Sequence, residues 1–561
     1  MKTRSTTVLL CCLSLGVAAA PLQAQSPARQ TVMVPMSDGA ELATDVYLPG
    51  GKGPFPVILE RTPYGRAGRP MAGATREGYA MVMQDVRGRF DSKGENLPFI
   101  GCGWADHRDG AETIAWIRKQ PWCDGKIGTM GGSAQGITQN LLAGAAPEGL
   151  TAQFIRFAAG DLYSQAAYVG GALRKEQVEG WTAEHKFDPK AMEIWRAHPC
   201  FDEYWQKFDT SGKFAVMKVP AVHVGGWFDT FSQGTIDEFL GRQNKGAAGG
   251  KGRQKLVMGP WVHGASRRGP QGEPTFPNSE FPAAYSEMRW FACLLKGADN
   301  GVLKEPAVAY YVMGDTSDPK APGNQWRYAD AWPIPCAETP YYFDKGGRLT
   351  TTRPASRESQ YEEYTFDPAV PCPTVGGRNL QIKNGPMDQR SVEGRKDVLT
   401  FTTEPLREPV EVTGRIAAKV FVSSSAADTD LSVRLCDVHD DGKSYMMAEG
   451  MLRLRYRDSL AKAAPLTPGK VYEVTVDCWS TSVVFNKGHR IRVAVTSSNY
   501  PRFDLNPGTG KAWTDGGESV KQTNRVYCDG VNSSAIILPV FSQAPAASQP
   551  DRGRRTTQDG E

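Results

Sequence analysis

The segment Met130-Gly-Gly-Ser-Ala-Gln-Gly136 places Ser133 on a turn of small residues. An apolar run, Lys126 to Met130, precedes it, and a helix-like run, Ile137 to Gly144, follows. A sharp strand-to-helix turn of this kind lifts a serine hydroxyl clear of the backbone, the arrangement of a nucleophile elbow. Glycines flank such a turn because a side chain there would collide with the neighbouring strand or helix. The strict G-x-S-x-G pattern is not met: Gln135 stands where the second Gly belongs, and Gly136 comes one residue later. A Gly-rich serine turn alone is weak evidence, so the reading depends on what lies downstream.

Two further strand-like runs end in residues able to complete a triad. Val219-Pro-Ala-Val-His-Val-Gly-Gly226 leads into Trp227-Phe228-Asp229, and Gln254-Lys-Leu-Val-Met-Gly-Pro260 leads into Trp261-Val262-His263. In open α/β sheets chemistry collects at the carboxyl ends of strands, so Asp229 and His263 are expected at the edge that displays Ser133. The chain order Ser, Asp, His is that of α/β-hydrolases and differs from the trypsin and subtilisin orders. Rival residues fit less well. His223 lies inside an apolar alternating strand and reads as a buried core histidine. Asp85 follows a strand but precedes Ser133, and Arg87 and Arg89 beside it suggest a structural ion pair.

These stretches, with Arg61-Thr-Pro-Tyr64, Gln84-Asp-Val-Arg-Gly-Arg89, Trp122-Cys-Asp-Gly125 and Gly488-His-Arg-Ile-Arg-Val493 followed by Ser497-Ser-Asn-Tyr-Pro-Arg-Phe503, resemble one family. It is the S15 peptidase and cocaine-esterase (CocE/NonD) group of α/β-hydrolases, which includes X-Pro dipeptidyl-peptidases, α-amino acid ester hydrolases and glutaryl acylases. The resemblance spans roughly residues 30 to 540 in the expected order. One departure is Ala134, where many members carry Tyr directly after the nucleophile; the backbone N–H survives that change.

Composition fits an exported multidomain enzyme. Met1 to Ala24 reads as a secretory signal peptide, with Lys2 and Arg4, an apolar run from Val8 to Ala20, and Leu22-Gln-Ala24 as the cleavage site. The apolar run is shorter than the roughly 20 residues a spanning helix needs, no later stretch qualifies, and no integral membrane segment is expected after signal cleavage. An exported protein, periplasmic or secreted, is therefore expected. The formal charge of +4 in 561 residues is scattered, without a basic stripe carrying interleaved aromatics, so no nucleic-acid partner is expected. Of 11 Cys, Cys11 and Cys12 leave with the signal peptide, and an odd number remains. No C-x-x-C pair and no His/Cys run has zinc spacing, so no metal and no cofactor is expected. A Cys102–Cys123 bond is not expected either, because a helix over about Asp106 to Gln120 would separate its ends by roughly 20 Å.

The fold expected is an α/β-hydrolase domain with an inserted helical cap, followed by an all-β sandwich. Residues 28–147 and 214–335 alternate strands and helices and form the catalytic domain. Residues 148–213 form a helical, aromatic-rich insertion containing Trp181, Trp195, Tyr204 and Trp205, which the resemblance implies is a cap. From 336 to 541 period-two runs such as Leu452-Arg-Leu-Arg-Tyr-Arg457, Val471 to Val476 and Ile491 to Val495 mark strands with one wet face, and the family implies a jelly roll. Residues 542–561 lack periodicity and are expected to be disordered.

In the mechanism these groups suggest, His263 takes the Ser133 proton, Asp229 holds the imidazole, and the Ala134 N–H is one oxyanion donor. The resemblance implies that the Tyr64 phenol is the other. For substrate, members selecting α-amino acyl groups use a carboxylate cluster two and three residues after the triad Asp, where this chain has Phe231 and Ser232. Asp161, in Ala-Gly-Asp-Leu-Tyr, is a remaining acid for such a pocket, with Asp202 of the cap behind it, but one carboxylate is a weak ammonium trap. The cocaine-esterase branch has an aromatic residue at the Phe231 position, so the substrate expected is a small ester with a neutral, apolar acyl group. X-Pro dipeptide release, α-amino acid ester or β-lactam acyl cleavage, and an inactive glycan-binding protein are the alternatives, and the oligomeric state is left open.

Overall fold

The computed structural model describes residues 29–66, 72–266, 269–512 and 517–542. The expected signal peptide and all of the expected tail except Ser542 lie outside the described residues. The first domain is built on a ten-stranded sheet. Its strands are β1 (Arg29–Pro35), β2 (Glu41–Tyr47), β3 (Phe55–Thr62), β4 (Ala80–Asp85), β5 (Cys123–Gly132), β6 (Leu150–Arg156), β9 (Ala221–Phe228), β10 (Lys255–Val262), β11 (Val308–Val312) and β12 (Gln325–Ala329); β7 (Tyr168–Val169) and β8 (Ala172–Leu173) form a separate hairpin. The spatial order is β1-β2-β4-β3-β5-β6-β9-β10-β11-β12. The run from β4 to β11 is parallel, and antiparallel strands close both edges.

A parallel sheet is covered on both faces, so its strands must be apolar throughout rather than alternating. Every residue of β4, β9 and β10 is buried. Successive side chains of β3 serve opposite faces. Val57 and Leu59 pack with Ile114 and Ile117 of α2 (Asp109–Arg118) and Leu142 of α3 (Ala134–Gly144), whereas Ile58 packs with Trp290 and Phe291 of the helix Glu287–Lys296. The parallel direction brings the ends of β3, β5, β9 and β10 to one edge.

The insertion differs from the expected 148–213 at its start. Leu150–Arg156 is not cap but strand β6, paired with β5 on one side and β9 on the other. A short apolar run carries no periodicity that separates strand from buried helix, which is why its neighbour in sequence, the aromatic segment, absorbed it. The cap proper follows, with the β7–β8 hairpin, α4 (Lys175–Glu184), α5 (Lys190–Ala197) and α6 (Glu203–Gln206). Its own core is aromatic: Tyr163, Tyr168 and Trp195 surround the fully buried Trp205.

The C-terminal domain is an 11-stranded β structure from Ala337–Asp344 to Ala535–Val540. The Leu452–Arg457 run is not one strand with a wet face: strand Ser444–Arg453 ends there, and Leu454–Tyr456 forms a 3-10 turn. Alternation misleads here because two of its three arginines are buried in ion pairs, Arg453 with Asp430 and Asp504, Arg455 with Asp428. Asp85 also departs from expectation. Its partner is Arg66, at 2.5 Å, while Arg87 pairs with Asp38 and Asp109 and Arg89 donates to backbone carbonyls. His223 is buried, 3.1 Å from Gln254 Oε1, and burial holds its pKa down to about 3. All nine cysteines among the described residues are free thiols, Cys102 and Cys123 included. Among the described residues no helix is long and apolar enough to cross a membrane.

Candidate active site

Ser133 sits between the last residue of β5 and the first of α3 with φ 59° and ψ −128°. For a non-glycine residue this backbone costs about 1–3 kcal/mol and persists only where the surroundings hold it. Its N–H donates to Arg156 O at 3.0 Å on β6, and its carbonyl accepts the N–H groups of Gly136 and Ile137 at 2.8 and 2.9 Å. The displaced glycine is explained by the same packing. A Cβ on Gly136 would lie 2.7 Å from Ala158 Cβ, so Gly is needed there, where the helix passes β6. Gln135 instead turns its amide to the buried Glu60 carboxylate.

Asp229 and His263 follow the last residues of β9 and β10. Asp229 is fully buried, and its Oδ2 lies 2.5 Å from His263 Nδ1. Its other oxygen accepts the Phe231 N–H at 2.7 Å, so both carboxylate oxygens are committed. The imidazole is gripped by two aromatic rings, Phe157 at 5.9 Å and Phe231 at 5.6 Å between centroids. Ser133, His263 and Tyr64 line one solvent-open cavity, together with Trp181, His185, Glu184 and Gln381.

Tyr64 lies two residues beyond β3 with its Oη 3.4 Å from Ser133 Oγ. The Trp181 indole N–H donates to the same Oη at 3.2 Å. With the indole as donor, the phenolic hydrogen remains available to Ser133 Oγ or to a group in the cavity. In the sequence Trp181 is only one of several aromatics of the insertion, and an aromatic residue on a helix gives no signal of such a hydrogen bond. Ala134 opens α3, where backbone N–H groups have no intrahelical acceptor.

A second, apolar cavity opens beside Ser133 and Ala134, walled by Phe99, Ile137, Val178, Trp181, Phe231 and Leu380 among others. Leu380 comes from the C-terminal domain. The Glu176 carboxylate on α4 accepts the N–H groups of Leu380 and Gln381 at 3.1 and 2.8 Å, fixing that loop against the cap. Two fully buried arginines complete the joint. Arg378 donates to Trp227 O at 2.9 Å and to the carbonyls of Glu449, Cys478 and Ser480. Arg174 donates to Thr230 O and Arg378 O, each at 2.9 Å. The loop bearing Asp229 is thus held from the cap and from the C-terminal domain at once.

Comparison with known proteins agrees with this architecture. The family model described as X-Pro dipeptidyl-peptidase (S15 family) matches residues 38–190 and 180–265, and that of the X-Pro dipeptidyl-peptidase C-terminal non-catalytic domain matches 300–537. Cocaine esterase from Rhodococcus sp. (strain MB1 Bresler) is 34% identical, with 91% of this chain and 98% of that protein covered. Among solved structures, an aminopeptidase from a marine sediment Thaumarchaeota archaeon superposes with TM-score 0.79 at 27% identity, covering 92% of this chain and 97% of that one. An α-amino acid ester hydrolase superposes with TM-score 0.75 at 25% identity, covering 96% and 100%. The chain belongs to the cocaine esterase and S15 peptidase family of serine hydrolases.

Within this serine-hydrolase family the expected pocket residues separate. Phe231 lies in the apolar cavity against Ser133, but Asp161 does not. Asp161 caps the turn Tyr163–Ala167, accepting the Tyr163 N–H at 2.8 Å and the Ser164 N–H at 3.2 Å, with the Ser164 hydroxyl on the same oxygen. It lines a different cavity, with Asp209, Asp237 and Glu238, and burial pushes its pKa up to about 6. A carboxylate spent on capping is what an Asp two residues before a turn usually supplies, and Asp161 lines neither cavity that contains Ser133.

Proposed function

We propose that this serine hydrolase cleaves esters of neutral, apolar acyl groups through Ser133, His263 and Asp229. His263 takes the proton of Ser133 Oγ as the hydroxyl attacks the acyl carbon, then delivers it to the departing alcohol; water, activated by the same imidazole, releases the acid from the acyl-enzyme. Asp229 holds Nδ1 protonated, so Nε2 is the free base. The oxyanion is met by the Ala134 N–H and the Tyr64 phenol. The observation that carries the substrate reading is the apolar cavity against Ser133, whose described walls include Phe231 and no carboxylate.

An apolar wall rewards burial of an acyl chain by about 0.8 kcal/mol per CH₂. It offers nothing to an ammonium, whose desolvation without a partner costs several kcal/mol. Neutral esters are therefore expected to show higher kcat/KM than matched α-amino acid esters at a pH where the amine is protonated, and Phe231→Glu should narrow or reverse that ratio. The second reading, release of an N-terminal residue or dipeptide, draws on Glu184 at the cavity mouth. That carboxylate is 58% exposed, so solvent screens its attraction for an ammonium. Preference of the wild-type enzyme for X-Pro anilides or α-amino esters would favour it and discard the apolar-acyl reading.

Tyr64→Phe is expected to lower kcat about 10²-fold, the scale for loss of one oxyanion donor, with KM little changed because that bond matures in the transition state. An unaltered kcat would return Tyr64 to a packing role. Failure of a fluorophosphonate to label Ser133 would favour the inactive binding-protein alternative. The N-terminal Met1–Ala24 pattern supports an extracytoplasmic site of action, tested by sequencing the N-terminus of the mature protein.

A further inference from the structure

Far along the chain from the catalytic residues, two imidazoles stand side by side between two carboxylates. Asp315 lies just beyond β11, on the hydrolase side of the joint. Asp437 and His439 are at the end of strand Asp430–Val438, and His489 immediately precedes strand Arg490–Thr496, which pairs with it. His489 Nδ1 is 2.9 Å from Asp437 Oδ1, and its Nε2 is 3.7 Å from Asp315 Oδ2. His439 Nε2 is 3.4 Å from Asp437 Oδ2, and its Nδ1 is 3.8 Å from Asp315 Oδ1. The ring centroids are 4.1 Å apart. Each ring therefore turns one nitrogen to Asp437 and the other to Asp315.

This is the plan of a metal centre with its outer carboxylate in place. Histidines that bind metals through one nitrogen donate the other N–H to a carboxylate, which fixes tautomer and ring orientation. Asp437 would do this for both rings, one oxygen each. On the opposite side, one ligand atom each from Asp315, His439 and His489 lie within 4.8 Å of one another. Donors around a tetrahedral zinc with bonds of about 2.0–2.1 Å are about 3.3 Å apart, so the 3.7 Å between His489 Nε2 and Asp315 Oδ2 is nearly closed, and the widest pair must draw in by up to about 1.5 Å. Asp315 Oδ1 already accepts the Ser317 N–H at 2.8 Å and its hydroxyl at 2.7 Å, which leaves Oδ2 for an ion. Asp315 and His489 are buried, whereas the His439 side chain is 14% exposed and gives the ion a way in.

We infer that Asp315, His439 and His489 bind a divalent transition-metal ion, zinc by their donor set, with Asp437 orienting both imidazoles and water completing the coordination. Two imidazoles and one carboxylate suit zinc better than calcium or magnesium, which take oxygen ligands. No zinc motif appears along the sequence because the ligands come from three separate segments. The ion would tie the loop after β11 to two strands of the C-terminal domain, so its effect falls on stability and not on the ester chemistry.

Full-length protein dialysed against EDTA and titrated with zinc chloride is expected to bind one ion per chain with micromolar or tighter affinity. Its melting temperature should rise on binding, with ester turnover unchanged. Asp437→Asn should weaken binding about 10–100-fold, and His439→Gln should abolish it, with turnover retained in both variants as proof of folding. Cobalt(II) in place of zinc should give visible absorption that His439→Gln removes. No binding at high-micromolar zinc overturns the inference. So does binding whose affinity and stoichiometry are the same in wild type and both variants, which would leave the four side chains as an ion-paired cluster only.

Discussion

Ser133→Ala is expected to retain less than about 10⁻⁴ of wild-type kcat on a chromogenic ester, with an essentially unchanged melting temperature. The loss is large because no other hydroxyl of the cavity is carried on the turn between β5 and α3. Stability is preserved because alanine keeps the backbone at φ 59° under the same constraint from Arg156, Gly136 and Ile137, and only one half-buried oxygen is removed. Labelling by a fluorophosphonate should vanish in the same protein. Activity above a few per cent of wild type, with folding intact, would mean that another residue attacks the substrate.

Asp229→Asn is expected to lower kcat by about 10⁴-fold through a proton placed on the wrong nitrogen. The geometry makes this outcome specific. Oδ1 of Asp229 accepts the Phe231 N–H at 2.7 Å, so an asparagine there must keep its carbonyl oxygen on that side. Its amide hydrogens then face His263 Nδ1, at the 2.5 Å contact that the carboxylate oxygen occupies. An amide donor there accepts no proton from Nδ1, so the imidazole carries its hydrogen on Nε2. That is the atom required to take the Ser133 proton. KM should change little, and the protein should remain folded because the substitution is isosteric. A variant within about tenfold of wild type would show that Asp229 does not set the tautomer.

Much of this arrangement was legible in the sequence because strand-end chemistry is local. Ser133, Asp229 and His263 each stand directly after the last residue of a strand, and parallel strands carry them to a common edge without further information. What was not legible depends on partners distant in sequence. The run Leu150–Arg156 has the composition of either a strand or a buried helix, and only its two neighbouring strands decide. Arg453 and Arg455 of the Leu452–Arg457 run look wet by alternation, but Asp428, Asp430 and Asp504 allow them to be buried. Arg87 and Arg89 were closer to Asp85 in sequence than Arg66, which takes the pairing. Asp161 has the chemistry of an ammonium ligand, and its capping of the next turn is invisible until the turn is known. Trp181 and Leu380 reach the cavity from the cap and the C-terminal domain, and neither carries a mark of that role in its surrounding sequence.

The pair of buried arginines behind the Asp229 loop bears on how the enzyme comes into being. Arg378 reaches Trp227 O from a segment translated well after His263, and its remaining donors are taken by strands later still, at Glu449, Cys478 and Ser480. Arg174 in turn grips Thr230 O and the Arg378 carbonyl. A nascent chain that has released Ser133, Asp229 and His263 from the ribosome therefore still lacks the struts that hold the Asp229 loop. The support of that loop is completed only once the C-terminal domain has been made.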